Sequence, residues 1–135
     1  QKIILGIEKL PPVLNYSKRI VLFMPEGEYH EIGLLYVHFL LKQRGFYIDY
    51  LGANVPMIDL RYLSEFHKVD YLYCHLTSPA KNFKIHKFFE QLSEVSKIIP
   101  IVISGQLAQA YKGQIAGNIQ LKRTLAETIS FLESI

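Results

Sequence analysis

The 135 residues are enough for one domain with a single core, because half of them are apolar. The net charge is only +3 and the Lys and Arg residues are scattered, so we expect no direct nucleic-acid contact from this segment. One cysteine excludes an internal disulfide and a cysteine-rich metal site, and no apolar run approaches the ~18 residues of a membrane span. We therefore expect a cytoplasmic protein without membrane contact.

The first 18 residues combine an apolar start with Pro11-Pro12, which predicts an N-terminal arm or the end of an upstream helical region. Residues 19–135 are predicted to form the domain itself. Short apolar runs predict strands at 19–24, 46–52, 69–76, 98–104 and 117–121. Amphipathic stretches predict helices at 30–45, 56–68, 79–97, 105–113 and 122–135.

The regular alternation of strands and helices predicts an α/β fold with a parallel sheet. The strands are almost continuously apolar, as expected when helices cover both faces of the sheet. The number of units predicts a flavodoxin-like, Rossmann-like five-stranded sheet in the order 2-1-3-4-5.

Ligands of such sheets bind beyond the carboxyl ends of the strands, where the strand order reverses. Four loops follow predicted strands at that edge, with the sequences PEGEYHEIG, GANVP, CHLTSP and SGQLA. We therefore expect these loops to bring together the following residues: His30, His75, Thr77, Ser104 and Gly105.

Two familiar functions of this fold are excluded by the loop after the first strand. A phosphate-binding loop presents glycines and hydroxyls to an anion, whereas this loop carries Glu26, Glu28 and Glu31. A phosphate-accepting receiver domain has an Asp at the end of the first strand, where this chain has Met24-Pro25.

Glu28 and His30 suggest metal chemistry instead. A metal-bound imidazole usually donates its other N–H to a carboxylate, and a Glu two residues before a His can accept it. One well-placed His is too few for a bare zinc site, but a single axial imidazole suits a metal held by a macrocycle. Two alternatives remain: Glu28 as a solvated acid near a helix N-terminus, and an acid–base pair. No nucleophile or oxyanion feature accompanies the pair, so we do not expect an enzyme.

The segment Glu28-x-His30-x-x-Gly33 resembles the Asp/Glu-x-His-x-x-Gly motif of cobalamin-binding domains. That family continues with Ser-x-Leu or Ser-x-Thr and then Gly-Gly, and the corresponding positions here are His75-Leu76-Thr77 and Ser104-Gly105. The run from residue 27 to 56 is similar to the domain of MerR-type transcriptional regulators related to CarH and LitR.

The resemblance implies that the cofactor is cobalamin, with adenosylcobalamin and methylcobalamin as candidate forms. Its own dimethylbenzimidazole base would be displaced, His30 would be the lower axial ligand of cobalt, and Glu28 would hold the His. The nucleotide tail would enter a slot bordered by residues 75–77 and 104–105, with Gly33 permitting close approach. The implied partners are the upstream DNA-binding and helical-bundle domains of the same protein and, in a homo-oligomer, further copies of the chain.

Two positions depart from the family pattern, and both narrow the implied slot. His75 stands in place of the family's Ser, and Ser104 in place of the first Gly. Over-filling a packed slot costs about 1–3 kcal/mol per position. The alternative function is therefore a cobalamin-binding fold that has lost its cofactor and serves as a dimerisation or protein-interaction module.

Overall fold

The computed structural model describes residues 2–9 and 18–135. The strands are β1 Arg19–Pro25, β2 Tyr47–Val55, β3 Tyr71–His75, β4 Ile101–Ser104 and β5 Ile119–Leu121. The helices are α1 Lys2–Lys9, α2 Ile32–Gln43, α3 Met57–Phe66, α4 Ile85–Val95, α5 Gln106–Ala110 and α6 Leu125–Ser134. No helix in these two ranges is long and apolar enough to cross a membrane.

All four strand pairings are parallel, and the strand order is β2-β1-β3-β4-β5. This confirms the predicted α/β, flavodoxin-like sheet. Helices α3, α4 and α5 pack on one face through residues such as Leu60 and Phe88. Helices α2 and α6 cover the other face with residues such as Leu34 and Leu132. The three central strands β1, β3 and β4 are thus largely buried on both sides, whereas the edge strands β2 and β5 are partly exposed.

Strand β2 runs to Val55, so the predicted end at residue 52 is wrong. Bulges interrupt its pairing with β1, and the backbone takes positive φ at Gly52 (78°) and Asn54 (57°). Glycine and asparagine tolerate this conformation best. These two residues therefore bend the strand rather than end it, although they look like a turn in the sequence.

Helix α4 begins at Ile85, six residues later than predicted. The segment before it is a loop that packs against the loop after β1, where the Ala80 N–H donates to the Gly27 carbonyl at 3.1 Å. Residues 79–84 therefore form this loop and not the predicted first turns of the helix. Strand β4 also begins later than predicted, at Ile101, directly after Pro100, which has no N–H for the ladder.

The predicted N-terminal arm contains a helix, α1, which packs on α2. Ile7 is buried, and Lys42 Nζ donates to the Ile7 carbonyl at 3.0 Å. The Phe39 ring lies against Gly6. Pro11-Pro12 lie outside the described residues, and the domain boundary at residue 19 stays a prediction.

Candidate functional site

The loop after β1 lies where the strand order reverses, and its backbone is hydrogen-bonded to the chain segments on both sides of it. Its Gly27 carbonyl accepts the Ala80 N–H after β3, and its Glu28 carbonyl accepts the Asn54 N–H of β2 at 3.1 Å. The Gly27 N–H in turn donates to Asn54 Oδ1 at 3.1 Å. The three neighbouring strands β2, β1 and β3 therefore fix the backbone that carries Glu28 and His30.

The Glu28 side chain is fully buried, at 0% exposure. Its Oε1 accepts the backbone N–H groups of Thr77 at 2.5 Å and Ser78 at 3.0 Å, and its Oε2 lies 2.9 Å from His30 Nδ1. Burial by itself raises the pKa of a carboxyl, but the hydrogen bonds from His30, Thr77 and Ser78 outweigh it and lower the pKa of Glu28 below 4.5. Glu28 is thus an ionised, buried acceptor and not a solvated acid.

The Glu28 carboxylate determines which nitrogen of His30 carries the proton. An ionised carboxylate only accepts hydrogen bonds, so Nδ1 must be the donor. In the neutral tautomer that this bond selects, Nε2 keeps its lone pair. The His30 side chain is 60% exposed, and no described residue is hydrogen-bonded to Nε2. Its neighbours Tyr29 and Ile32 are exposed apolar side chains. The arrangement presents a single oriented imidazole donor on an apolar surface.

A second polar cluster lies at the ends of β3 and β4. The Tyr73 hydroxyl donates to Ser104 Oγ at 2.7 Å, and Ser104 Oγ lies 2.9 Å from His75 Nδ1. Burial raises the pKa of Tyr73 to about 12 and lowers the pKa of His75. Because Ser104 accepts from Tyr73, its own proton is available for Nδ1 of the neutral His75 ring. Nε2 of His75 is then the protonated nitrogen.

The far side of the His75 ring lies against Gly33, in the first turn of α2. A Cβ at Gly33 would be 2.2 Å from His75 Nε2, so no other residue fits there with the ring in place. Beside them is a cavity of about 410 Å³. Its walls come from α2, α6 and the ends of β3 and β4 and include Tyr36, Gly105 and Thr124.

The seven residues predicted for the site fall into two adjacent groups. The first group is Glu28, His30 and Thr77, and the second is Gly33, His75, Ser104 and Gly105. Thr77 contributes its N–H to Glu28 and does not line the cavity, which departs from the role expected of it.

Sequence reasoning missed three kinds of participant in the site. They are the Ser78 N–H, the Tyr73 hydroxyl, and the cavity wall at residues 122–125. The period-two alternation of β3 gives a signal for Tyr73, since it places residues 73 and 75 on the same side of the sheet.

Within residues 2–9 and 18–135, no group of three or more His, Cys, Asp or Glu side chains could hold a metal ion. Cys74, the single thiol, is fully buried, and burial raises its pKa well above the usual value, so it remains protonated at neutral pH.

Comparison with solved structures identifies the fold. The chain is similar to a cobalamin-binding protein from Desulfitobacterium hafniense, with TM-score 0.60 and 16% identity over 87% of this chain and 58% of that one. It is also similar to the methanol:cobalamin methyltransferase complex from Methanosarcina barkeri, with TM-score 0.65 and 20% identity over 90% and 48%. A third match is the monomethylamine corrinoid protein of Methanosarcina barkeri, with TM-score 0.58 and 15% identity over 99% and 62%.

The chain thus has the fold of these cobalamin- and corrinoid-binding proteins, and it spans less than two thirds of the length of each. No protein-family model matches the sequence, and no curated protein matches it.

Proposed function

We propose that the chain is the cobalamin-binding sensory domain of a MerR-family transcriptional regulator, with His30 as the lower axial ligand of cobalt. The observation that carries the proposal is the buried Glu28 carboxylate. It fixes the His30 ring and leaves the lone pair of Nε2 exposed for a metal ion. The fold shared with cobalamin- and corrinoid-binding proteins supports it.

The residues present suit a corrinoid bound at the carboxyl edge of the sheet. When bound, the cofactor would supply a cobalt ion that can exchange ligands, and His30 would be the residue that holds it. Glu28 strengthens the His30 donor by accepting its Nδ1–H. Tyr29 and Ile32, both more than half exposed, offer apolar surface to the flat ring. The protein side of the site is thus one ligand, its buried partner and an apolar platform.

Catalysis by the protein's own Glu28 or Cys74 is disfavoured by the surroundings of these two groups. Glu28 is closed off by hydrogen bonds, and Cys74 is inaccessible and protonated. Neither group can act as a base or nucleophile toward a substrate.

A sensory role needs only a ligand that binds better to one packing of this domain against its neighbours, because binding then shifts the equilibrium between the alternative packings. The neighbours proposed here are upstream DNA-binding and helical-bundle domains and, in a homo-oligomer, further copies of the chain.

A visible-absorption titration with hydroxocobalamin and adenosylcobalamin tests the binding proposal. We expect a saturable spectral change in the wild type, loss of that change in His30→Ala, and its retention in His67→Ala. His67 is an exposed histidine at the end of α3 and serves as the matched control. No spectral change in the wild type at tens of micromolar, with these two cobalamins or with diaquacobinamide, would refute the proposal.

The regulatory part is tested in a protein that carries this chain together with its DNA-binding domain. Saturating cobalamin should change the DNA affinity or the oligomeric state of that protein, and His30→Ala should remove the change. Equal DNA affinity and equal oligomeric state with and without bound cobalamin would refute a sensory role while leaving binding intact.

A second candidate function is a dimerisation module, favoured by a specific surface of α3. Ile58, Tyr62 and Phe66 lie four residues apart on one helix face and are 73%, 60% and 65% exposed. Arg61 and Glu65 are exposed along one side of this stripe. If two copies of α3 pack antiparallel about a two-fold axis, Arg61 of each copy faces Glu65 of the other. The stripe is therefore complementary to itself in both charge and apolar surface.

Sedimentation equilibrium without corrinoid tests the α3 interface, and the corrinoid titration separates this second function from the first. A dimer formed through α3 should dissociate in Tyr62→Lys, and Arg61→Glu should weaken it until Glu65→Arg restores the pairing. Tyr36→Lys, which changes an exposed tyrosine of α2, serves as the control. A monomer at all concentrations, or a dimer indifferent to these changes, would exclude the α3 interface.

A further inference from the structure

The His75 ring closes one side of the 410 Å³ cavity next to the His30 loop. Two contacts fix its position: Nδ1 is hydrogen-bonded to Ser104 Oγ at 2.9 Å, and Nε2 lies against the Gly33 backbone. Ser104 is itself only 4% exposed and is held by the Tyr73 hydroxyl. The ring is thus part of a buried hydrogen-bond chain and not a mobile surface side chain.

The structure of the proposed corrinoid ligand explains why the position of the His75 ring matters for binding. A corrinoid that takes His30 as its lower ligand must move its own lower base away from cobalt. In cobalamin that base stays tethered to the lower face of the corrin through a ribose and a phosphate. It must therefore find room in the protein on the same side as His30. The cavity is lined by Gly33, three residues after His30, and by His75 and Ser104, the positions that the resemblance assigns to the nucleotide slot.

The geometry points to His75 as a specificity residue: we propose that its ring restricts this cavity, so that the site prefers corrinoids without a lower nucleotide, of the cobinamide type. This inference rests on the proposed function, because it presumes that a corrinoid binds through His30. It adds the chemical class of the corrinoid and the residue that selects it.

Rotation of His75 out of the cavity is opposed by the groups that hold it. Moving the ring breaks its bond to Ser104 Oγ, and with the ring in place Ser104 is only 4% exposed, so the loss of this partner has a cost. The nucleotide tail would have to replace the hydrogen bond that Ser104 loses and also fill the space that the His75 ring leaves. A ligand without the tail leaves His75, Ser104 and Tyr73 as they are.

Two substitutions isolate the effect of the ring. His75→Asn keeps a polar atom near the position of Nδ1, and so a bond to Ser104, but removes the part of the ring that reaches Gly33. His75→Ser removes more of the side chain and is the second variant, in case the first one repacks. His67→Ala is the control for a histidine far from the cavity.

The experiment measures dissociation constants of diaquacobinamide and hydroxocobalamin by absorption titration for the wild type and each variant. Displacing the lower base of cobalamin has a cost of its own, but that cost is the same for every protein variant. It therefore cancels when the ratio of the two constants is compared between variants.

We expect the cobalamin-to-cobinamide ratio to fall by about 10- to 100-fold in His75→Asn and His75→Ser, which corresponds to relief of one over-filled position. Cobinamide affinity itself and the His67→Ala ratio should stay unchanged. An unchanged ratio in both His75 variants would overturn the inference while leaving the proposed function intact. No binding of either corrinoid to any variant would overturn both.

Discussion

At the scale of single residues, Glu28 has two roles: it orients His30, the proposed cobalt ligand, and it stabilises the fold. Replacing it with Ala removes the acceptor of two backbone N–H groups, that of the half-buried Thr77 and that of the exposed Ser78. A buried N–H left without a partner costs about 1–3 kcal/mol, whereas an exposed one can bind water. We expect Glu28→Ala to lower the free energy of unfolding by about 2 kcal/mol in urea titrations. Glu94→Ala, at an exposed position of α4, should change it by less than about 0.5 kcal/mol. Equal effects of the two changes would contradict the role assigned to Glu28.

His75 gives the protein a pH-dependent stability. Burial lowers its pKa below the ordinary 6.5, an effect that the nearby Glu28 charge opposes only in part. On acidification below about pH 6.5 the unfolded chain therefore takes up this proton before the folded chain does, and the free energy of unfolding falls. His38 adds to the trend, because burial and Lys42 lower its pKa as well.

The measurement is urea unfolding at about pH 7.5 and about pH 5.5. We expect the wild type to lose stability between these two values, and His75→Asn to lose less, with the remainder due to His38. A loss of equal size in the two proteins would show that His75 titrates normally in the folded state.

The residue pattern predicted one half of the site better than the other. Glu28 and His30 are two residues apart, so their contact could be read from local sequence. The bond between His75 and Ser104 joins residues 29 positions apart and depends on the register of β3 with β4. No property of either residue alone indicates that the ring turns toward Gly33.

At the scale of secondary-structure elements, the junction between β4 and α5 is the most restricted backbone near the site. Gly105 has φ 104° and ψ 178°, a region open almost only to glycine, and a Cβ there would be 2.2 Å from the Leu76 carbonyl oxygen. Gly45, after α2, also has positive φ (83°), but a Cβ at this position would have no neighbouring atom within 4 Å. The two glycines share a positive φ and differ in the steric clash that a Cβ would meet.

Alanine at these two glycines should therefore have different costs. We expect Gly45→Ala to lower the free energy of unfolding by about 1 kcal/mol from strain alone. Gly105→Ala should lower it by about 3 kcal/mol or more, because β3 and β4 must separate as well. Gly117→Ala, at ordinary φ and in open space, is the baseline. Thermal or urea unfolding gives the order, and a Gly105→Ala as mild as Gly45→Ala would show that the junction can shift.

Element types were easier to predict than element ends, for a physical reason. The apolar runs of β1 and β3 identify strands because both faces of the sheet are covered. The end of β2 was misplaced because Gly52 and Asn54 bend the strand while β1 continues to pair with it up to Val55. Pairing across strands overrode the local turn signal.

At the scale of the whole molecule, the strand order followed from the alternation of elements and the handedness of the connections. The expected location of the candidate site followed in turn from the strand order. The contribution of α1 did not, because an apolar eight-residue stretch before two prolines carries no information about what it packs against. Only the structure shows Ile7 buried against α2 and its carbonyl bound by Lys42.

The relation of α1 to the sheet leads to a prediction about the unit of folding. Helix α1 packs on α2, which is itself anchored to the sheet by Leu34, Val37 and Leu41. We therefore expect residues 18–135 alone to unfold cooperatively and with native helix content by circular dichroism. Their stability should be lower by about 2 kcal/mol, roughly the burial of one isoleucine.

Ile7→Ala in the full chain is the matched comparison, because it removes the same apolar contact and keeps the helix. It should reproduce most of that loss. If residues 18–135 lacked a cooperative transition while Ile7→Ala kept one, α1 would belong to the core of the domain. The boundary predicted at residue 19 would then be wrong, and the sheet would need its N-terminal helix to hold α2, and with it Gly33 and the cavity, in place.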